Sequence, residues 1–201
     1  MSLTCTCPNP TKIADITAIT CFENFGQIQM ITFWRAGTSI ADVATMILAA
    51  TWTALFAATG STHTIFTPII HNPTVEPGAV ITVGSGNEVP DGSPIVNGSE
   101  PTKWSFICRR WPAESIRNLK DLMCETSLEV ILVNKDGYFG HRVDGTTVKG
   151  FPIHALFVGD KKIGGYSDFD QHVLSFETKE NWSDYFTITD PTANFNPLED
   201  W

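Results

Sequence analysis

The sequence predicts a mainly β protein with one firm helix, folded as a β-sandwich or partly closed barrel. Residues 102–110 alternate apolar and polar side chains, which is typical of a half-buried strand. Residues 112–125 repeat apolar side chains at helical spacing, and residues 128–133 are apolar on both faces, as in a central strand. A helix placed between two consecutive strands needs a sheet to cover. The rest of the chain is expected to supply that sheet.

Length and composition indicate one packed domain over residues 1–201. The chain is 42% apolar and only 17% charged, which excludes a disordered acidic chain. Its net charge is −9, and its longest Lys/Arg runs are the pairs Arg109–Arg110 and Lys161–Lys162. Tight binding of nucleic acid needs clustered cations, so we do not expect it. The first ten residues lack the basic and apolar regions of a signal peptide, which predicts synthesis in a cytoplasm.

The first third of the chain predicts an arm and then a hairpin. Residues 1–12 contain two prolines and alternating Thr and Cys, which indicates an irregular N-terminal arm. Residues 13–22 and 27–34 predict two strands joined by a turn at 24–26. In the second strand the alternation places four side chains on one face: Ile28, Met30, Thr32 and Trp34.

Residues 38–58 form the most apolar window of the chain. The window is too rich in threonine for a membrane span, which needs roughly 20 predominantly apolar residues. Thr51 is expected to cap a short helix over residues 52–58. Whether residues 40–50 belong to that helix or to a loop stays open, because periodicity alone does not decide.

Residues 68–101 predict a long extension that reaches away from the core. The segment holds six prolines and five glycines, and only residues 79–83 resemble a strand, with a hairpin tip at 84–87. Long loops of this kind in a compact domain are commonly functional or become ordered on a partner.

The C-terminal half predicts a series of strands joined by tight turns. Turns are expected at residues 135–137 and 144–145, where Asp-Gly pairs occur. Residues 190–201 predict a tail that anchors on another surface. The predicted strands cover residues 138–143, 146–149, 151–158, 172–178 and 185–188.

No catalytic, cofactor or metal site is expected. Cys5, Cys7 and Cys21 could offer thiolates to zinc, but their spacing is unusual and no fourth ligand is near. A dyad of Cys108 and His154 would need an activating motif that the sequence lacks. The five histidines share no ligand spacing, and the glycines at 84–87 and 159–165 match no phosphate-binding loop.

The tryptophans divide into two groups. Trp34, Trp52 and Trp104 fall inside predicted elements and should be core. Others fall at element ends or in the tail, where they either contact a neighbouring subunit or cover the ends of the core. The residues predicted for a subunit interface are Pro77, Val83, Asn87, Glu88, Val89, Pro94, Trp111, Trp182, Phe195 and Trp201.

In its architecture the predicted fold resembles the tail tube proteins of tailed bacteriophages. A sandwich with one helix between consecutive strands, a free N-terminal arm, a long loop and an acidic balance is similar to that family. The short sequence segments 157–161, 181–184 and 196–198 are also similar to segments of phage virion proteins. The resemblance implies hexameric rings stacked into a tube, with the loop and the arm reaching the next ring. It also implies contact with other tail proteins, a virion location, and DNA passing through without tight binding.

Other functions remain open. The apolar window at 38–58 is larger than a tube subunit needs, which leaves room for a capsid-decorating or head–tail connector protein. A protein of another class, a β-sandwich module that binds a carbohydrate or peptide, would use Trp182 and Trp201 as platforms. An enzyme is the weakest alternative. No membrane partner is expected.

Overall fold

The computed structural model describes residues 25–84, 93–166, 168–192 and 195–200. Three helices occur among them: α1 (Val43–Met46), α2 (Ala49–Ala57) and α3 (Ala113–Asp121). The strands in the same residues are β1 (Ile28–Arg35), β2 (Ile65–Phe66), β3 (His71–Glu76), β4 (Val80–Val83), β5 (Ile95–Ser99), β6 (Thr102–Arg109), β7 (Leu128–Asn134), β8 (Phe139–Asp144), β9 (Thr147–Lys149), β10 (Phe151–Val158), β11 (Gln171–Thr178) and β12 (Thr187–Thr189). The predicted mainly β fold with one firm helix is confirmed.

Ten strands form one antiparallel sheet in which β7 is central. The sheet runs β12-β8-β7-β10-β11-β6-β3, while β1 pairs with β7 and β2, and β9 pairs with β8. Every residue of β7 is buried, as its apolar sequence predicts. The two ends of the path, β12 and β3, do not pair in the part of the chain that the structure describes, so the sheet is sandwich-like rather than a closed barrel.

Both faces of the central strands are buried, each in its own core. Ile31, Phe33, Val130 and Leu132 lie in a first core with residues of β6, β10, β11 and α3. The alternating neighbours on β1 and β7 lie in a second core, which α1 and α2 cover through Met46 and Trp52. Trp34, Trp52 and Trp104 are buried, as predicted.

The strand–helix–strand unit matches its sequence pattern closely. β6 alternates as expected, with Trp104, Phe106 and Cys108 buried. Pro112 directly precedes α3, Glu114 lies in its first turn, and a 3-10 turn (Leu122–Cys124) extends the helix towards β7. The predicted turns at 135–137 and 144–145 are also present between β7, β8 and β9.

Two predictions near the start of the described chain are corrected. A bulge between Ile28 and Met30 shifts the register of β1, so Ile28 joins the first core while Met30 and Trp34 join the second. Helix α2 begins at Ala49, and the Thr51 hydroxyl donates to the Thr45 carbonyl (2.8 Å) instead of capping a helix. Within the window left open (residues 40–50), Val43–Met46 form the separate helix α1, and the last two residues begin α2.

Residues 68–101 contain more strand than predicted. β3 joins the large sheet beside β6, and β4 pairs with β5 in a separate two-stranded hairpin. The last predicted strand (185–188) is shifted: Tyr185 ends a 3-10 turn (Trp182–Tyr185), and β12 begins two residues later at Thr187. The predicted N-terminal arm, the strand at 13–22 and the hairpin tip at 85–87 lie outside the described residues. None of the helices described is long and apolar enough to cross a membrane.

Candidate assembly surfaces

The structure separates the predicted interface residues into a hairpin group and an aromatic group. Pro77, Val83 and Pro94 are exposed on or beside the β4–β5 hairpin. The aromatic residues Trp111, Trp182 and Phe195 lie in the body of the fold. Asn87, Glu88, Val89 and Trp201 lie outside the described residues.

The β4–β5 hairpin exposes apolar side chains on both of its faces. Val83 lies opposite Ile95, and Thr82 lies opposite Val96, so neighbouring pairs point to opposite sides. The five large apolar side chains are 41–65% exposed: Val80, Ile81, Val83, Ile95 and Val96. A hairpin normally buries one face against a core, and this one buries neither.

The hairpin is attached to the body at its base. The Glu100 amide donates to the Ala79 carbonyl (2.8 Å), and the Ser99 amide donates to the Glu180 carboxylate (3.3 Å). Gly78 is needed at this closure, because a Cβ there would lie 1.7 Å from the Glu100 carbonyl oxygen. The base is therefore fixed, while the apolar strands stand clear of the core.

The three aromatic residues are mainly used inside the chain. Trp182 packs edge-on against Trp104, with ring centroids 4.8 Å apart, and covers the end of the first core. Trp111 is half-buried, and its indole donates to the Ile69 carbonyl (3.3 Å). Phe195 is 2% exposed in the second core, so its ring lies inside this chain and not on a surface that a neighbour could contact.

A buried carboxylate organises the polar interior. Glu129 on β7 is 4% exposed and accepts hydrogen bonds from the Trp34 indole (3.2 Å), the Gly150 amide (3.2 Å) and the Arg142 guanidinium (3.1 Å). Arg142 also donates through Nε to the Gly150 carbonyl (2.7 Å). Because all of these partners belong to the fold itself, the network ties β1, β7, β8 and β10 together.

The two residues of the candidate dyad, Cys108 and His154, do not lie opposite each other. The strand partner of Cys108 is His172, whereas His154 pairs with Glu177, five residues further along β11. Burial raises the pKa of the Cys108 thiol to about 12, which makes it a poor nucleophile. No group of three or more His, Cys, Asp or Glu residues in the described ranges could hold a metal. Cys5, Cys7 and Cys21 lie outside those ranges.

No family model and no curated protein sequence matches this chain. Among solved structures, it is similar to a chain in the tail of an empty GTA particle refined with helical C6 symmetry, with 11% identity and a TM-score of 0.36. That match covers 67% of this chain and 89% of the other. It is also similar to a chain of the six-fold symmetrised anti-feeding prophage baseplate, with 8% identity, a TM-score of 0.36, and coverage of 88% and 98%. Likeness at this level does not decide function, which depends on the surfaces of this chain.

Proposed function

We propose that this chain is a structural virion protein that assembles with copies of itself, in its sharpest form as hexameric rings stacked into a phage tail tube. The observation that carries the proposal is the β4–β5 hairpin, whose apolar side chains are exposed on both faces. The proposed interface includes Val83, Pro77 and Pro94 on this hairpin.

A hairpin of this kind is a docking element because it is poorly stable by itself. Isolated two-stranded hairpins are at best marginally stable in water. Contiguous exposed apolar surface on a soluble protein commonly marks an interaction site. Insertion between neighbouring subunits would cover both faces at once, as the exposed side chains of β4 and β5 require.

A single contact made by the β4–β5 hairpin is expected to be weak, whereas the same contacts repeated around a closed ring are expected to be stable. Full burial of one Val or Ile side chain contributes about 1.5–3 kcal/mol, and these five are already partly buried, so the hairpin contributes roughly 5 kcal/mol in gross terms. Association costs about 4–15 kcal/mol in lost freedom of motion, which cancels or exceeds that gain. Closing a ring satisfies every subunit and makes the contacts cooperative. Assembly should therefore depend steeply on protein concentration.

The charge of the chain suits a tube that lets DNA through. A net charge of −9 opposes retention of phosphate on a lumen surface. Proteins at the ends of the tube would be further partners. The geometry of the proposed ring would decide which carboxylates line the lumen.

The test compares wild-type protein with two matched variants by light scattering after size exclusion and by negative-stain microscopy. Ile95→Asp introduces a charge on the hairpin, where the side chain is 57% exposed, and Leu48→Asp does the same on an equally exposed residue (53%) before α2. Wild type and Leu48→Asp should form rings or tubes as concentration rises, while Ile95→Asp stays monomeric.

Four other outcomes overturn all or part of the proposal. Wild-type protein that is monomeric at every concentration, or Ile95→Asp protein that assembles normally, refutes it. Closed rings that never stack would indicate a connector or decoration protein. A monomer whose tryptophan fluorescence changes with added oligosaccharide would indicate a binding module.

A further inference from the structure

The sequence contains two pairs of neighbouring basic residues, Arg109–Arg110 and Lys161–Lys162. The fold brings these pairs together where β6 ends and β11 begins. Arg109 ends β6, and Arg110 follows it. Gln171, the strand partner of Arg109, exchanges two backbone hydrogen bonds with Lys162 (2.8 and 3.0 Å). We call this surface the cationic rim, and it consists of Arg109, Arg110, Lys120, Lys161 and Lys162 with the carboxylates Asp160, Asp168 and Asp170.

Three cations of the rim have no carboxylate partner among the described residues. Lys120 pairs with Asp160 (2.6 Å) and Lys161 pairs with Asp170 (2.9 Å), but no ion pair involves Arg109, Arg110 or Lys162. In a chain with 22 Asp and Glu against 13 Lys and Arg, carboxylates are not scarce. Unpaired cations that gather at one place in such a chain are suited to a carboxylate from outside it.

The unpaired arginines are held in defined positions. The Arg110 guanidinium lies over the Phe169 ring, 4.0 Å from its centroid, and Arg110 has a left-handed backbone (φ 61°). Arg109 Nε is buried without an acceptor in the described structure. Beside them lies an open cavity of about 290 Å³, whose lining includes Trp111 and His172. The cavity can admit a side chain from another molecule.

The local electrostatic field favours negative groups. A hydrogen bond from Lys161, with further support from the Gly164 amide and His172, lowers the pKa of Asp170. A hydrogen bond from Lys120 lowers the pKa of Asp160 in the same way. Carboxylates are therefore stabilised in their charged form at the rim.

Exposed carboxylates flank the edge strand β12. Asp184 precedes this strand, Asp190 follows it, and Glu199 and Asp200 lie further along the chain, where the Asn196 amide donates to Asp200 (2.7 Å); we call these four residues the acidic patch. None of them takes part in an ion pair within the ranges described. Between β12 and β6 the sheet order places β8, β7, β10 and β11. Outside the rim, the chain has eight Lys and Arg residues against 19 Asp and Glu residues.

We propose that the cationic rim docks onto the acidic patch of a second copy of this chain. The two surfaces differ, so the contact is head-to-tail, and repeated contacts of this kind close into rings or extend into filaments. The inference rests on the proposed function and identifies an electrostatic contact that is separate from the apolar hairpin. Charge pairs of this kind set the register of an interface and speed its formation.

The test is a charge swap in full-length protein, with association measured by sedimentation velocity at 50 and 500 mM NaCl. One variant reverses the rim (Arg110→Glu with Lys162→Glu), a second reverses the patch (Asp190→Lys with Glu199→Lys), and a third carries all four changes. Arg117→Glu is the control for a charge reversal outside the rim, because Arg117 is an exposed cation on α3 with no ion-pair partner in the described structure. Near-ultraviolet circular dichroism checks that each variant is folded.

Reversal of either surface alone should weaken association about tenfold or more at 50 mM NaCl. The variant with all four substitutions should associate with an affinity within about threefold of wild type. Raising the salt should weaken wild-type association about tenfold through screening. The inference is overturned if the rim reversal associates as Arg117→Glu does, or if the variant with all four substitutions associates no more tightly than either reversal alone. It is also overturned if salt does not change wild-type association. If those results occur while Ile95→Asp still blocks assembly, the proposed function stands without this contact. Wild-type protein that is monomeric at both salt concentrations overturns both.

Discussion

Replacing Glu129 with glutamine tests whether the buried carboxylate holds the central strands together. Glutamine keeps the shape of the side chain but removes the charge and turns one acceptor oxygen into a donor. The side chain is 4% exposed and faces three donors, from Trp34, Gly150 and Arg142. The substitution therefore leaves at least one buried donor without an acceptor and the Arg142 charge without its partner.

The expected loss follows from the kind of contact that is broken. Removing one partner of a buried ion pair destabilises a protein by about 3–5 kcal/mol, and the amide oxygen that remains recovers part of this, which leaves roughly 2–4 kcal/mol. For a chain of this size, each kcal/mol lowers Tm by about 2–4 °C. A decrease of roughly 4–16 °C is therefore expected in Glu129→Gln.

Calorimetry or thermal circular dichroism measures the effect against Glu125→Gln, a matched change in a surface ion pair. Glu125 pairs with Arg35, and both side chains are partly exposed to solvent, so that loss should be much smaller. A double-mutant cycle with Arg142→Met then isolates the coupling across the buried pair. If Glu129→Gln melts within 2 °C of wild type, or no lower than Glu125→Gln, the central role of the carboxylate is refuted.

Three further predictions concern other buried positions. Gly150→Ala would place a methyl carbon less than 3.0 Å from three neighbouring atoms, so urea unfolding should show a loss of about 1–3 kcal/mol; an unchanged midpoint would show that the neighbours move aside at no cost. His141 hydrogen-bonds Thr189 (2.8 Å), and burial lowers its pKa below 6.5, so the unfolded chain binds the proton more readily and stability falls as pH drops below about 6.5. Urea unfolding from pH 7.5 to 5 should therefore show a shallower loss in His141→Gln, and an equal slope would contradict this. A thiol reagent should label exposed Cys124 and spare buried Cys108 in peptide mapping of folded protein; early labelling of Cys108 would show that the first core opens.

Short-range patterns were enough to predict the strands and helix around the centre of the chain. Alternation in β6, helical spacing in α3 and the all-apolar β7 each depend on where neighbouring side chains point, which a few residues decide. The turns before β8 and β9 were predictable for the same reason, since Asp-Gly favours the backbone that a tight turn needs.

Predictions that depended on distant partners were less accurate. The bulge that moves Ile28 to the other core follows from pairing with β7, about 100 residues away. Strand β3 was not predicted within the proline-rich segment, because pairing with β6, and not the composition of β3, stabilises it. Phe195 was predicted at a subunit contact because nothing near it in sequence shows that Phe139 covers its ring.

For the candidate assembly surfaces, the composition of residues 68–101 pointed to an extension, but only the paired strands show that both hairpin faces are apolar and uncovered. The two basic pairs were visible in the sequence as isolated features. Their meeting at one end of the sheet depends on the antiparallel register of β6 and β11. The sequence by itself therefore determined the elements whose signals are local, such as β6, α3 and β7. The tertiary structure decided which surfaces are covered and which charges lie together, because those depend on residues far apart in the chain.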